Sequence, residues 1–131
     1  MLRRGLAGFL AAALCLAPSL ACASPAFEAM LRQADAVRSS DPEQFATLLG
    51  QLNASIGSAS VTQREHLDYL KAYQLAYSGR FDLGIEAAKK LFETSSDVKT
   101  RFRAGALIVN AYASTRDFSE GLRYLNQIIP L

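Results

Sequence analysis

Few side chains in this 131-residue chain could carry out chemistry. His66 is the only histidine, and the two cysteines, Cys15 and Cys22, lie near the N-terminus. A lone histidine does not supply the ligands of a zinc site. Glu65 and Asp68 are expected in the first turns of a helix, where acidic side chains stabilise the helix dipole. A Ser-His-Asp arrangement stays open, although no nucleophile lies in a recognisable motif. The sequence therefore predicts no catalytic residue, no metal site and no cofactor.

Aromatic and polar side chains recur on one face of two predicted helices. The candidate groove residues are His66, Tyr69, Tyr73, Tyr77, Arg103 and Asn110. Tyrosine and arginine often anchor a bound peptide or small molecule, and the Asn110 amide offers both donors and acceptors. The alternative is that the tyrosines pack between helices. Tyr73 and Tyr77 favour packing because they continue the apolar stripe of Leu70, so Tyr69 and Asn110 are the expected groove residues.

The first 23 residues have the pattern of a secretory signal peptide. Arg3 and Arg4 precede an apolar run over residues 5–20, and Ala21-Cys22-Ala23 is a small-x-small cleavage signal before Ser24. The run of 16 residues is shorter than the about 20 that span a bilayer. We therefore predict a signal peptide at 1–23 and export to a bacterial periplasm. Lipidation of Cys22 and a retained membrane anchor are the alternatives.

Removal of this segment changes the charge of the chain. The remaining 108 residues carry 12 basic and 12 acidic side chains and no cysteine. A net charge of zero does not favour nucleic acid or an anionic membrane surface as a partner. A chain of this length suffices for one small domain.

Apolar residues spaced by three and four predict six helices and an all-α fold. Asp41 before Pro42, and Asp117 before the last helix, are typical helix starts. Thr62 with Glu65 fits a capping box at the start of the third helix. The predicted helix pairs cover residues 24–54, 62–94 and 97–129.

Two of these pairs repeat at a spacing of 37 residues. Phe81, Gly84, Ile85 and Leu91 recur as Phe118, Gly121, Leu122 and Ile128. A fixed period of about 20 to 50 residues is typical of stacked helical hairpins. Glycine at positions 84 and 121 is expected where two helix backbones cross closely.

These two pairs resemble the tetratricopeptide (TPR) motif. In the last unit the matching positions are Ile108-Val109, Tyr112, Asp117-Phe118, Gly121-Leu122 and Ile128. The spacing departs from the usual 34 residues, Val109 replaces a small residue, and Arg116 replaces the usual turn glycine. The resemblance implies a TPR-like α-solenoid over residues 24–131, with 24–54 as a degenerate unit and a concave groove that binds a ligand.

Several stretches also resemble the exported N-terminal region of bacterial membrane-anchored GGDEF proteins, which are diguanylate cyclases. They are Leu70-Lys71-Ala72-Tyr73, Ala76-Tyr77-Ser78-Gly79-Arg80, Arg101-Phe102-Arg103-Ala104-Gly105-Ala106-Leu107, Val109-Asn110-Ala111-Tyr112 and Arg116-Asp117-Phe118. This resemblance implies a periplasmic sensory module that is not itself catalytic and that is joined to the membrane through a downstream span. A stand-alone periplasmic scaffold for an envelope complex is the alternative. The partner in either case is a protein, peptide or small molecule held in the groove.

The last predicted helix has an apolar outer face. Leu122, Leu125, Ile128 and Ile129 recur at helical spacing, although a terminal solenoid helix normally has a polar outer face. We expect further helices, another protein or self-association to cover this surface, which would make the chain a truncated solenoid. The alternative is that these residues pack against the preceding helix.

Overall fold

Residues 22–131 are described by the computed structural model, and within them the chain forms six α-helices and no β-strand. The helices are α1 (Pro25–Val37), α2 (Pro42–Ala54), α3 (Val61–Tyr77), α4 (Phe81–Thr94), α5 (Val98–Ser114) and α6 (Phe118–Ile128), with a short 3-10 turn at Ile56–Ser58. The predicted all-α fold is confirmed for these residues. The predicted signal peptide lies, apart from its last two residues, outside them. Within the described range, no helix is both long enough and apolar enough to cross a membrane.

Side-chain caps set the starts of five helices. In each case a hydroxyl or carboxylate accepts a hydrogen bond from a backbone amide of the first turn, which stabilises a helix by about 1 kcal/mol. The capping residues are Ser24, Asp41, Ser60, Asp97 and Asp117. Helix α4, which follows Arg80, begins without such a bond.

The capping box of α3 differs from the predicted one. The helix begins at Val61, and the box consists of Ser60 and Gln63 rather than Thr62 and Glu65. Gln63 is buried, and its side chain forms hydrogen bonds with two segments of the chain. Its Oε1 accepts from the amides of Ser60 (3.0 Å) and Ser24 (3.2 Å), and its Nε2 donates to the Ser24 carbonyl oxygen (3.0 Å). The prediction was wrong because sequence spacing alone does not show this long-range contact with Ser24.

The helices pack in two layers. Helix α3 contacts α1 on one side and α5 on the other, so these three lie side by side in what we call the odd-helix row. Helix α2 packs on α1 and α3, α4 on α3 and α5, and α6 on α5. A continuous apolar core therefore runs through all three hairpins, with Leu31, Leu52, Leu67, Leu70 and Ile108 as its largest fully buried side chains. Each such side chain contributes about 2 kcal/mol by burial.

The turns α3–α4 and α5–α6 have the same backbone hydrogen bonds, 37 residues apart. Gly79 has φ 86° in the first turn, and Arg116 has φ 64° at the same position in the second. In both turns the following amide donates to the carbonyl oxygen five residues earlier, at 3.0 and 2.9 Å. A left-handed residue that closes a helix in this way is usually glycine, so Arg116 holds a backbone conformation that is costly for its residue type.

The glycines at 84 and 121 face their hairpin partners at different distances. A Cβ on Gly84 would lie 2.8 Å from the backbone nitrogen of Ala76, so α3 and α4 approach closely there. A Cβ on Gly121 would lie 3.6 Å from the Cβ of Tyr112, which is an ordinary contact distance. Of these two glycines, only Gly84 lies where an added Cβ would clash with the facing helix.

Gly105 on α5 is a second position of close approach, which sequence reasoning missed. A Cβ there would overlap Ile128 of α6 and would lie 3.1 Å from the ring of Phe92 of α4. The glycine lets α4 and α6 pack on α5 at the same level.

Candidate functional site

One carboxylate joins all three helices of the odd-helix row. Asp35 of α1 accepts hydrogen bonds from Arg103 of α5, where Nη2 contacts both carboxylate oxygens and lies 2.6 Å from Oδ2. The Nε2 atom of His66 on α3 lies 2.8 Å from the same Oδ2. Arg38, one turn further along α1, also donates to Oδ1. Because Asp35 and Arg103 are 68 residues apart, this cluster links the first hairpin to the third. We call these four residues the Asp35 cluster.

The Asp35 carboxylate is strongly stabilised in its charged form. Burial alone would raise its pKa, but the hydrogen bonds from His66 and Arg103, with the positive charge of Arg103, outweigh burial and hold the pKa of Asp35 far below its usual value of 3.8. Two guanidinium groups share this one carboxylate, so the cluster carries a surplus of positive charge.

His66 lies between a donor and an acceptor that use the same ring nitrogen. Its Nε2 is 2.8 Å from the Asp35 carboxylate and 3.0 Å from Nη1 of Arg103. A protonated Nε2 donates to Asp35, whereas a bare Nε2 accepts from Arg103, so only one contact at a time is a hydrogen bond. A change at either neighbour therefore changes the role of His66.

Tyr69 is buried beneath this cluster. The guanidinium carbon of Arg103 lies 4.3 Å from the centre of its ring, and that of Arg38 lies 6.0 Å away. Both distances are within the range of cation–π attraction. The expectation that Tyr69 is an open groove residue is therefore wrong, because two arginines from neighbouring helices cover its ring.

Tyr73 and Tyr77 continue the same face towards the C-terminal end of α3. Their rings stack at 4.1 Å, and Tyr73 is buried with its edge against Phe45. Burial raises the pKa of the Tyr73 hydroxyl. Tyr77 is 63% exposed, so the expectation that both rings are core packing holds for Tyr73 but not for Tyr77. The buried stripe that includes Leu70 continues to Tyr73 but does not reach Tyr77, one turn further along α3.

Tyr77 separates two hollows in the face. One, of about 220 Å³, lies between α2 and α3 and is lined by Arg38, Pro42, Phe45, Tyr73, Gln74, Tyr77 and Ser78. The other, of about 150 Å³, lies between α3 and α5 and includes Asn110, Phe81 and Leu107. Asn110 is exposed.

The structure therefore divides the predicted site residues into two groups. His66 and Arg103 belong to the Asp35 cluster and Tyr69 lies beneath it, while Tyr73, Tyr77 and Asn110 surround the two hollows. Sequence reasoning missed Asp35 and Arg38. His66 and Arg103 are 37 residues apart and share a repeat position, but Asp35 precedes His66 by only 31 residues, so the repeat could not reveal it.

The arrangement is suited to binding. Among residues 22–131, no group of three or more histidine, cysteine, aspartate or glutamate side chains could hold a metal ion. The Glu65 carboxylate, one of the two acidic groups considered above, accepts a hydrogen bond from Ser95 Oγ at 2.6 Å and so ties α3 to the loop before α5. Exposed aromatic surface beside partly exposed guanidinium groups is typical of a docking surface.

Comparison of the chain with protein-family models, curated proteins and solved structures gave no match.

Proposed function

We propose that residues 24–131 form an exported TPR-like module that binds a short peptide segment across the odd-helix row and performs no chemistry itself. The observation that carries this proposal is the position of Tyr77. It is exposed between two hollows, with the Arg38 guanidinium at the edge of one and the Asn110 amide at the edge of the other. An apolar side chain of the ligand fits the hollow beside Phe45. The backbone amides of the ligand can form hydrogen bonds with the side-chain amide of Asn110.

The surplus charge of the Asp35 cluster favours an acidic group in the ligand. Arg38 lines the larger hollow and also donates to Asp35. A ligand carboxylate beside the hollow competes with Asp35 for Arg38, because a guanidinium binds a carboxylate through two parallel hydrogen bonds. Binding would then take Arg38 from Asp35 and leave that carboxylate to His66 and Arg103, which changes the contacts that join α1, α3 and α5.

Selection from a peptide library tests this proposal. A random library displayed on phage is selected on the full chain, and enriched peptides are synthesised and titrated against Tyr77→Ala. We expect the variant to weaken binding at least about 10-fold, because an exposed tyrosine between hollows acts as an anchor. Leu83→Ala is the matched control, since Leu83 is an exposed apolar residue on α4. Equal affinity for wild type and Tyr77→Ala would refute the proposal.

We further propose that the module is the sensory input region of a membrane-associated diguanylate cyclase in the periplasm. The support is the resemblance described above, together with a charged cluster that joins the first and third hairpins beside the proposed binding surface. The reading frame beyond Leu131 tests this directly. A membrane span and a GGDEF domain encoded in frame would support it, whereas a frame that ends without them would favour the stand-alone scaffold.

A further inference from the structure

Tyr77 forms a ridge between the two hollows of the odd-helix row. Its ring stacks on that of Tyr73, with the ring centres 4.1 Å apart and the planes inclined by 19°. The side chain is nevertheless 63% exposed, so the ring face turned away from Tyr73 is open to a ligand. The hollows on its two sides have volumes of about 220 and 150 Å³. A ligand that fills both hollows must therefore cross the Tyr77 ring.

The ridge restricts the conformation in which a peptide can bind. Peptides commonly bind as an added β-strand, as a helix in a groove, or as a polyproline II helix on aromatic side chains. Within residues 22–131 there is no β-strand, so this part of the chain offers no sheet edge to an added strand. A helix needs a continuous apolar groove, which Tyr77 interrupts. A polyproline II segment needs only separate hollows beside an exposed aromatic ring.

The spacing of the hollows agrees with a polyproline II helix. They flank a single helix, α3, with one hollow towards α2 and the other towards α5. Since packed helices lie about 8–10 Å apart, the grooves on either side of α3 are separated by about the same distance. A polyproline II helix has three residues per turn and rises about 3.1 Å per residue, so residues i and i+3 lie on one face about 9 Å apart. Two side chains three residues apart can therefore enter the two hollows.

The hydrogen-bonding groups around Tyr77 favour a ligand that has few N–H groups. The carbonyl oxygens of the last turn of α3 already accept hydrogen bonds from the backbone amides of residues 78–80, at 3.0–3.1 Å. Within the described part of the chain, the residues that line the two hollows include no carboxylate, and Arg38 is their one charged side chain. A ligand N–H placed here would have few acceptors, and an unpaired buried N–H costs free energy. Proline has no N–H, while its carbonyl oxygen can accept from Arg38 or from the side-chain amide of Asn110.

We propose that the ligand of the odd-helix row is a proline-rich segment in the polyproline II conformation, an inference that rests on the peptide-binding function proposed above. Apolar side chains three residues apart fill the two hollows, and a proline between them packs on the open face of Tyr77. An acidic residue next to this segment pairs with Arg38 at the edge of the larger hollow. Because proline-rich segments already populate polyproline II when free, binding costs them less conformational entropy.

Fluorescence anisotropy with a labelled peptide of sequence EPLPPLPE tests this inference on the full chain. The leucines of the peptide are three residues apart, and a glutamate at each end can reach Arg38 in either direction of binding. The control peptide EALAALAE keeps the leucines and the charges but has alanine in place of every proline. We expect saturable binding of EPLPPLPE with a Kd below about 1 mM, and binding of EALAALAE that is weaker by at least about 10-fold.

Two variants of the protein are titrated with the same peptides. Tyr77→Ala should weaken the binding of EPLPPLPE by at least about 10-fold, because the open ring face is lost. Leu83→Ala, at an exposed leucine of α4 outside both hollows, is the matched control and should leave the affinity unchanged. Because Tyr77 is exposed, Tyr77→Ala should retain the circular dichroism spectrum of the wild type, so loss of binding is separable from loss of fold.

Equal affinity for EPLPPLPE and EALAALAE, or no binding of EPLPPLPE at about 1 mM, would overturn the inference. The random library separates this failure from failure of the proposed function. Library peptides that lack proline and still depend on Tyr77 would overturn the polyproline II assignment and leave peptide binding in place. A library in which no peptide depends on Tyr77 would refute both.

Discussion

Replacement of Asp35 by alanine should be far more costly than its position near a helix end suggests. The side chains of Asp35, His66 and Arg103 are only 17–22% exposed. Breaking a fully buried ion pair costs 3–5 kcal/mol, whereas exposed pairs contribute at most about 1 kcal/mol. The Asp35 cluster lies between these limits, so we expect Asp35→Ala to lower the free energy of unfolding by about 2 kcal/mol. For a domain of this size that is a fall in Tm of about 10 °C.

Thermal unfolding followed by circular dichroism measures this effect. Asp68→Ala is the control, because the Asp68 carboxylate is more than half exposed and lies 4.0 Å from Lys71. Its loss should change stability by less than about 1 kcal/mol. The double variant Asp35→Ala/Arg103→Ala should be less destabilised than the sum of its two single variants, since Arg103 loses its counter-ion only once. Equal effects for Asp35→Ala and Asp68→Ala would refute the role given to the cluster.

The same variant has a pH signature. The pKa of Asp35 is lowered in the folded protein, so the carboxylate stabilises the fold above its unfolded pKa, and that stability is lost as pH falls. The stability difference between wild type and Asp35→Ala should therefore be largest above about pH 5 and should narrow as pH falls below about 4. Urea unfolding at a series of pH values measures it. A difference that stays constant down to about pH 2 would contradict the assignment.

Two further predictions concern the backbone of the two later hairpins and are checked by thermal or urea unfolding. Arg116→Gly should stabilise the protein by about 0.5–1 kcal/mol, because glycine adopts the left-handed conformation of residue 116 without steric cost. Gly79→Ala at the equivalent turn should destabilise the protein for the same reason. An Arg116→Gly variant that is less stable than the wild type would contradict this description of the turn. Gly84→Ala should destabilise by about 1–3 kcal/mol, since its methyl would meet the Ala76 backbone, which outweighs the about 1 kcal/mol of helix propensity gained. Gly121→Ala has room for the methyl group and should be neutral or stabilising. An equal loss of stability for Gly84→Ala and Gly121→Ala would contradict the difference in helix approach at the two glycines.

Much of the fold could be predicted because its signals are local. A helix start at Asp41-Pro42 or Asp117 depends on a cap and a few following residues, and the structure places caps at both. The start of α3 could not be predicted in the same way. Ser60 and Thr62 each precede a suitable partner by three residues, and the choice depends on Ser24, which is distant in sequence.

The candidate site was predictable only where it follows the 37-residue repeat. His66 and Arg103 share a repeat position, so sequence alone could place them together. Asp35 lies outside that register, and its contact with Arg103 exists only after α1 and α5 have packed on either side of α3. Whether Tyr69 is buried likewise depends on the arginines of α1 and α5 that cover its ring, and periodicity within one helix does not contain that information.

The contact between Gln63 and Ser24 has a consequence for maturation of the chain. Cleavage after Ala23, as predicted, would give a new amino terminus at the residue that caps α1 and whose backbone nitrogen lies 3.2 Å from Gln63 Oε1. A peptidase acting one residue later would remove the cap of α1 and leave the buried amide of Gln63 without that partner. The cap of α1 is therefore the first residue that the predicted cleavage would leave, and we expect the fold to resist N-terminal trimming beyond Ser24.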